Sequence, residues 1–378
     1  MRHKPLSFKG LAVALLLVLF LGILGCGTAA GPPEMSSPAA ATSAPERTPA
    51  ENLRSAPSSV AGGAGDPAGV PALQTGEEHT PAPSGDRENT TAPGGQRAAG
   101  GPKVTLWVTR DFGRETLFAA EVPLPPGSDV LSLLKNHTRV ETAYGGKFVN
   151  AINGIRSDGR GGRLDWFYWV NGVLAPVGAA DFRPAPGDVV WWDYRDWSAG
   201  PPAPAVVGAY PCPLKGGAPV LILYPEGQSD LFRQVAGALA TQGIQACGSI
   251  VDDRAVLQRN TPVLVVGLWR DLASSALAKI VERGARSGIY CRLAADGFTA
   301  LDERGNATVD LKESCGTVLA TAAGPGDRNP LWIVTGTDDA GLKAAVRVLE
   351  DPSKLRCRCG VLVQESQVTA LPAGGAAR

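Results

Sequence analysis

The 378-residue sequence predicts a mixed α+β domain followed by an α/β domain with a mostly parallel sheet, both carried on a disordered N-terminal tether. Three observations predict this organisation. A long stretch near the N-terminus is rich in Ala, Pro and Gly and shows no hydrophobic periodicity. Two aromatic runs of strand character follow between Asp165 and Trp197. Apolar runs then alternate with amphipathic helical segments.

Residues 1–26 have the pattern of a lipoprotein signal peptide. Three basic residues precede an apolar run from Leu11 to Gly25, which is short for a membrane span. The run ends in Ile-Leu-Gly-Cys, which resembles the bacterial lipobox. We expect Cys26 to be lipidated and to anchor the protein on the extracytoplasmic side of the cell membrane. The alternative is an ordinary signal peptide that is cleaved a few residues later.

Residues 27–101 are predicted to form the tether. Their composition cannot bury a core, so the segment should be disordered. A flexible chain of this length spans about 50 Å between its ends. It could carry the folded part through a wall or envelope layer.

Residues 102–198 are predicted to form the first folded domain. Val104 to Thr109 and Leu117 to Val122 read as a pair of strands. Ser128 or Asp129 is suited to cap a helix, and extended segments follow it. Two strands, one helix and then further strands is the order of a β-grasp domain.

The stretch from Asp165 to Trp197 holds five of the eight tryptophans. Asn171-Gly172 is a tight-turn signal, because both residues tolerate positive φ. Alternation along the strands places aromatic rings on both faces of the sheet. Either one face is exposed for a ligand or partner, or the downstream domain covers it.

Ligand contact is predicted for five side chains of this stretch. Trp166 and Tyr168 share one face of their strand, and the family resemblance described below implies that this W-x-Y pair is the better candidate for the core. The residues that remain as candidates for contact are Trp169, Asn171, Trp192, Tyr194 and Trp197. The alternative is that these rings pack against the second domain.

A set of ordered motifs in this domain resembles a known family. They are G-G-K-F-V and A-I-N-G, then W-x-Y-x-V-N-G, a Gly-Ala loop and G-D-x-V-x-W-x-Y. Together, over about residues 103–197, they resemble the transcobalamin-like C-terminal domain family, DUF4430. The resemblance implies a β-grasp-like domain. In the vitamin carriers a similar domain closes over cobalamin together with a helical barrel, which this chain lacks.

Residues 199–205 are predicted to be a linker, residues 206–366 an α/β domain and residues 367–378 a disordered tail. Three continuous apolar runs have the pattern of strands that are buried on both faces. Helical segments follow each of them. The predicted strands are 219–224, 262–267 and 330–335, and the predicted helices are 229–241, 271–286 and 339–350.

Six of the seven cysteines lie in this second domain. An even number in an exported chain suggests up to three disulfides among Cys212, Cys247, Cys291, Cys315, Cys357 and Cys359. Cys357 and Cys359 are expected on one face of a strand, so each should pair elsewhere. A metal or redox site is the alternative, but the domain has no C-x-x-C motif and no histidine.

The sequence favours binding over catalysis. Only His137 of the three histidines lies in a predicted folded domain, and no G-x-S-x-G, H-E-x-x-H, Walker or G-x-G-x-x-G motif is present. The formal net charge is zero, so the electrostatic footprint of a nucleic-acid binder is absent.

The functional hypothesis is a membrane-anchored, extracytoplasmic binding lipoprotein that needs no cofactor. By resemblance, its ligand would be cobalamin or a related corrinoid, handed to a membrane transporter. The second hypothesis is a cell-surface module that contacts an envelope protein or a glycan. The third is a hydrolase in the α/β domain.

Overall fold

The computed structural model of the chain describes residues 101–159, 161–215 and 217–374. The predicted signal peptide, the lipidation site at Cys26 and the tether up to residue 100 lie outside these ranges. None of the helices formed by the described residues has the length and apolar character that a membrane crossing requires.

The first folded part, up to Asp196, is an α+β unit with the predicted order of two strands, one helix and further strands. Its elements are β1 (Lys103–Arg110), β2 (Glu115–Pro123), α1 (Val130–His137), β3 (Val140–Ala143), β4 (Phe148–Ile152), β5 (Ile155–Arg156), β6 (Leu164–Val170), β7 (Val173–Leu174) and β8 (Val189–Asp196). Five strands form a sheet in the order β2-β1-β8-β6-β7, and β3, β4 and β5 form a second, small sheet. Strands β1 and β8 are the paired strands of this sheet that lie farthest apart in the sequence, and they run parallel in its middle.

Local sequence signals set the ends of these elements. Asp129 caps α1 through a capping box, since its carboxylate accepts from the backbone N–H of Ser132 at 2.7 Å and the Ser132 hydroxyl accepts from the Asp129 N–H. Asn171 and Gly172 both have positive φ, as the predicted tight turn between β6 and β7 requires. These two sequence predictions are confirmed.

The second part is built on a seven-stranded mixed sheet. Its elements are β9 (Val220–Tyr224), α2 (Ser229–Thr241), β10 (Ala246–Ile250), α3 (Asp253–Leu257), β11 (Val263–Leu268), α4 (Trp269–Leu272), α5 (Ala276–Glu282), β12 (Cys291–Ala294), β13 (Gly297–Leu301), β14 (Ala307–Leu311), β15 (Gly316–Thr321), β16 (Leu331–Gly336), α6 (Asp339–Val348), β17 (Gly360–Gln364) and β18 (Gln367–Leu371). The sheet order is β10-β9-β11-β16-β15-β17-β18, and β12, β13 and β14 form a separate antiparallel sheet.

The prediction of a mostly parallel sheet is not supported. The pairs β10–β9, β9–β11 and β11–β16 are parallel, but β16–β15, β15–β17 and β17–β18 are antiparallel. The three apolar runs read from the sequence are the parallel strands β9, β11 and β16. The antiparallel half comes from β15, β17 and β18, for which the sequence reading assigned no strands.

Two further segments differ from their predicted form. The predicted helix 271–286 is three short pieces, α4, α5 and a 3₁₀ turn at Gly284–Ser287. The predicted tail 367–378 begins with β18, which pairs with β17 at the edge of the sheet. A short hairpin supplies these backbone hydrogen bonds, so residues Gln367–Leu371 are ordered despite their polar start.

Both faces of the large sheet are covered, which explains its continuous apolar strands. Along β11, Val263 and Val265 face one hydrophobic core, while Leu264 and Val266 face another. Helices α2 and α6 pack on the second core, and α5 packs on the first with β13. A strand buried on both sides has no polar face to alternate with.

The predicted linker 199–205 is packed against the aromatic sheet. Ala203 and Ala205 are buried, and Ala205 forms an isolated antiparallel bridge with Val173. The indole nitrogen of Trp169 donates to the Ala203 carbonyl at 2.8 Å. These contacts hold the segment in place at the junction between the two parts.

One hydrophobic core runs through both parts of the chain. Trp169 and Trp191 of the aromatic sheet belong to the same cluster of buried side chains as Tyr290, Cys357 and Cys359 of the second part. The downstream part therefore covers one face of the aromatic sheet. This was one of the two alternatives left open by the sequence.

A buried ion pair lies at this junction. Asp193 and Arg195, on β8, have almost no exposed surface, and the Arg195 Nε donates to the Asp193 carboxylate at 2.8 Å. The guanidinium carbon lies 4.5 Å from the ring centre of Phe112 and 4.2 Å from that of Trp169. A guanidinium nitrogen also approaches the Cys359 Sγ at 3.4 Å.

The Asp193 carboxylate is held by the turn that follows β1. It accepts from the backbone N–H groups of Phe112 at 3.1 Å and Gly113 at 2.9 Å, and from the Thr109 hydroxyl. Buried charges are tolerated when they are paired and hydrogen-bonded in this way. Sequence reading missed the pair, although alternation along β8 places both residues on the face of Trp191.

Arg195→Met should destabilise the fold by about 3–5 kcal/mol, because it leaves the Asp193 charge buried without its partner. Adding Asp193→Asn should recover part of that loss, since it removes the buried charge. The recovery should be incomplete, because Phe112 and Gly113 donate to different oxygens of Asp193 and an amide keeps only one of them. Chemical denaturation measures both. The exposed pair of Arg233 and Asp230 provides the control. Arg233→Met should cost less than about 1 kcal/mol. Equal losses at the two arginines would contradict the prediction.

Gly113→Ala should be far more damaging than Gly127→Ala. Both glycines have a positive φ, near +80°, so both variants carry about 1–2 kcal/mol of backbone strain. A Cβ at Gly113 would lie 1.8 Å from the Cys357 carbonyl oxygen, whereas Gly127 has open space. We expect a total loss of about 3 kcal/mol or more at Gly113, measured by thermal unfolding. Equal losses of stability in Gly113→Ala and Gly127→Ala would show that the close approach of Gly113 to Cys357 does not matter.

Candidate functional site

The aromatic side chains of β6 and β8 are sorted onto two faces by strand register. Trp169 pairs with Trp191, Tyr168 with Trp192, and Trp166 with Tyr194. The first pair faces the junction core described above. The other two pairs face α1 and the core beneath it. Rings therefore line both faces, as parity predicted.

The five residues predicted to contact a ligand do not form one surface. Trp169 has no exposed surface, because it lies in the junction core, so it cannot contact a ligand in this structure. Trp192 is 3% exposed and lies on the opposite face, stacked on Tyr168 with ring centres 4.8 Å apart. Tyr194, half-buried on that same face, donates its hydroxyl to the Arg156 carbonyl at 2.7 Å.

The other two predicted residues have structural partners. The Asn171 amide donates to Asp188 at 2.7 Å and accepts from the Val189 N–H at 2.9 Å, so it fixes the turn against β8. Trp197 is half-buried at the end of β8, where Arg163 lies over its ring. The sequence analysis chose five candidates from one stretch, but it could not assign them to one face.

A cleft opens on the helix side of the aromatic sheet, beside the outer edge of β6. We call it the hairpin cleft, because the β3–β4 hairpin forms one wall. Its volume is about 210 Å³. Its lining residues are Lys147, Phe148, Val149, Asp165, Trp166, Phe167, Tyr168, Leu174, Ala175, Gly178, Ala179 and Trp192. Strand β7 pairs only with the last two residues of β6, which leaves the rest of that edge beside the cleft.

The mouth of the hairpin cleft carries exposed aromatic rings. Phe148 is 40% exposed, and Tyr144, at the turn of the hairpin, is 83% exposed. Their ring centres lie 5.9 Å apart in an edge-to-face arrangement. The turn is built by Tyr144, Gly145 and Gly146, all with positive φ. This Gly-Gly motif is one of those on which the family resemblance is based. Neither Tyr144 nor Phe148 was predicted from the sequence to be a site residue.

Polar groups inside the cleft differ in whether they are already paired. The Trp166 indole donates to the Ile155 carbonyl at 3.0 Å, and the Tyr168 hydroxyl donates to the Val177 carbonyl at 2.6 Å. Burial, aided by Asp181, raises the pKa of Tyr168, so its phenol stays protonated. The Trp192 indole nitrogen is buried and has no hydrogen-bond partner among the described residues. An unpaired buried donor of this kind costs free energy.

His137 is exposed at the end of α1, where it stacks on Phe118. Across the ranges that the structure describes, no three His, Cys, Asp or Glu side chains are grouped so as to hold a metal ion. The Asp338 turn, which follows β16, caps α6 by accepting from the Gly341 N–H at 2.8 Å, and this bond lowers the pKa of Asp338.

The six cysteines of the second part are all thiols in this structure. Cys247 is exposed and Cys212 is half-buried, while Cys291, Cys315, Cys357 and Cys359 are buried. Burial raises the pKa of Cys291 and Cys359 thiols, which keeps them protonated. Cys357 and Cys359 do not lie on one strand face, because they precede β17 in a turn where Cys357 has positive φ. The disulfide prediction is thus not supported by the structure.

Comparison with solved structures finds a crystal structure from Ruminococcus gnavus ATCC 29149 that is described as a "putative metal binding protein". It is 15% identical, and the match covers 25% of this chain and 97% of that chain, with a TM-score of 0.21. A score this low does not establish a shared fold. No curated protein matches the chain.

A family model covers most of the first folded part, which contains the aromatic sheet. Residues 127–196 match the "Domain of unknown function (DUF4430)". The match begins just before α1 and ends with β8, so it includes the hairpin, β6 and every residue of the hairpin cleft. The resemblance read from the aromatic motifs is confirmed, and this segment of the chain is a DUF4430 domain.

Proposed function

We propose that the protein is an extracytoplasmic ligand-binding lipoprotein and that its DUF4430 domain binds a ring-bearing ligand at the hairpin cleft. One observation carries the proposal. Two exposed rings lie together at the β3–β4 hairpin, where Phe148 lines the cleft and Tyr144 contacts Phe148.

Exposed rings at a concave site favour binding over a purely structural role. Aromatic side chains gain free energy when they are covered, and they prefer stacked or edge-to-face contact with another ring. The neighbouring rings of β6 and β8 pack against one another in the core. Tyr144 and Phe148 are exposed instead, so they contribute little to core packing. A few polar groups among apolar walls is the usual composition of a small-molecule site.

The more specific proposal is that the ligand is a corrinoid. Its support is the resemblance to the cobalamin carriers, together with the aromatic mouth of the cleft. A volume of about 210 Å³ would admit a side group or the edge of a macrocycle, with the two exposed rings covering its face. Delivery to a membrane transporter would then follow from an anchored position outside the membrane.

A second candidate function is contact with a glycan or an envelope protein. The exposure of Tyr144 favours it, because a ring that projects from a hairpin turn suits a flat sugar face as well as a macrocycle. We propose no chemical step in either case, and no residue of the cleft is paired as a nucleophile with a base.

Tyr144→Ala and Phe148→Ala should each weaken binding of hydroxocobalamin about three- to tenfold, since a ring contact is worth about 0.5–1.5 kcal/mol. The melting temperature should hardly change for Tyr144→Ala, because its ring is mostly in solvent. Titration of the purified full-length protein in detergent, followed by tryptophan quenching, measures the affinity.

Leu257→Ala is the control for this experiment. Leu257 is also a largely exposed apolar side chain, but it lies on α3 of the second part. The control variant should bind like the unmodified protein. If hydroxocobalamin fails to bind the unmodified protein, the corrinoid proposal is wrong. Binding of a glycan array that is lost on Tyr144→Ala would then favour the second candidate.

The anchoring proposal has its own test. Cys26→Ser should abolish incorporation of radiolabelled palmitate and move the protein from the membrane fraction to the medium or periplasm. The matched control is Cys247→Ser, because Cys247 is exposed on β10 and lies far outside the lipobox in sequence. Retained labelling of the Cys26 variant would show that the anchor lies elsewhere.

A further inference from the structure

A second cleft, in the downstream part of the chain, is rimmed by arginines. We call it the arginine cleft. It lies among α5, the 3₁₀ turn that follows it, β12 and the β13–β14 turn, and it has a volume of about 580 Å³. Four arginines line it, namely Arg283, Arg286, Arg292 and Arg304. This volume lies in the range of small-molecule sites.

No ion pair joins any of the four arginines of this cleft to an acidic side chain within the described ranges. Arg304 has a weaker charge interaction with Asp302, which helps to lower the pKa of that carboxyl. Glu282 is the one acidic residue of the lining, so the lining carries an excess of positive charge. By contrast, Arg259 of the same part is paired with Asp327 at 3.0 Å. Four guanidiniums without an ion pair around one concavity repel one another, and an anion would relieve that repulsion.

Asp302, an acidic side chain of the β13–β14 turn, is engaged within that turn. Asp302 accepts from the backbone N–H groups of Arg304 at 2.9 Å and Asn306 at 2.8 Å, and from the Asn306 amide at 3.0 Å. Burial alone would raise the pKa of Asp302, but the bonds from Asn306 lower it overall. Its charge therefore fixes the turn that presents Arg304 and does not close the cleft.

The floor of the arginine cleft is apolar. Trp269, Val281 and Leu301 line it and are almost fully buried, and Leu293 is half-buried beside Arg292. An apolar floor below a rim of guanidiniums suits a ligand that is itself amphipathic. Planar guanidiniums bind phosphate and carboxylate groups through paired N–H donors.

We infer that the arginine cleft binds a small organic anion that carries at least two phosphate or carboxylate charges. This site is separate from the hairpin cleft, which contains one lysine and no arginine. The inference does not depend on the identity of the ligand proposed for the DUF4430 domain.

Calorimetric titration of the full-length protein with inorganic pyrophosphate and with citrate tests the inference. Either probe should bind, and raising the salt concentration from 50 to 300 mM should weaken that binding, because the contacts are ionic. Quenching of tryptophan fluorescence gives a second readout, because Trp269 lines the cleft. The triple variant Arg283→Gln, Arg286→Gln and Arg292→Gln should lose at least about tenfold in affinity. All three side chains are exposed, so the fold should persist.

Arg347→Gln is the matched control for charge. Arg347 is exposed on α6, which packs on the other core of the sheet, and it does not line the cleft. This variant should bind both probes like the unmodified protein. Absence of binding to both probes at low salt would overturn the inference. The inference would also be overturned if the loss of affinity, divided by the number of charges removed, were the same for Arg347→Gln and for the triple variant. That result would indicate a general effect of charge.

Discussion

The buried pair of Asp193 and Arg195 is the constraint on which the rest of the structure depends. An ion pair away from water is tolerated when most of its polar groups are satisfied. Here one guanidinium nitrogen of Arg195 has no partner among the described residues. The partners of the pair come from three places: the turn after β1, the rings of the aromatic sheet, and the segment that contains Cys359. Each of these must be in position for the pair to be stable. The pair therefore links the DUF4430 domain to the downstream part more specifically than apolar contact alone would.

This link decides which surfaces of the aromatic sheet are available. The face of Trp169 and Trp191 is committed to the junction, where it shares one core with the second part. The hairpin cleft lies on the other face of the sheet, beside the outer edge of β6, and the exposed rings of the hairpin lie next to it.

The two clefts differ in chemistry because different elements build them. The hairpin cleft has aromatic walls, since β6 and β8 supply rings to both faces of one small sheet. The arginine cleft lies where short elements α4, α5 and β12 meet over an apolar floor, and its arginines come from turns and an edge strand. Turn residues are free to carry charge because they do not pack in the core. The described part of the chain thus presents an aromatic cleft and a cationic cleft.

The sequence by itself determined the local elements and the position of the aromatic stretch. The capping box at Asp129, the turn at Asn171-Gly172 and the strands β9, β11 and β16 follow from short-range chemistry, so they were predictable. It could not determine the mixed sheet, because β15, β17 and β18 gain their order from pairing with distant strands. Nor could it sort the predicted contact residues. Parity shows that Trp169 and Trp192 point to opposite faces, but only the tertiary structure shows which face is covered and by what. The arginine cleft likewise depends on tertiary contacts. Arg283 and Arg304 come together only when β12 pairs with β13.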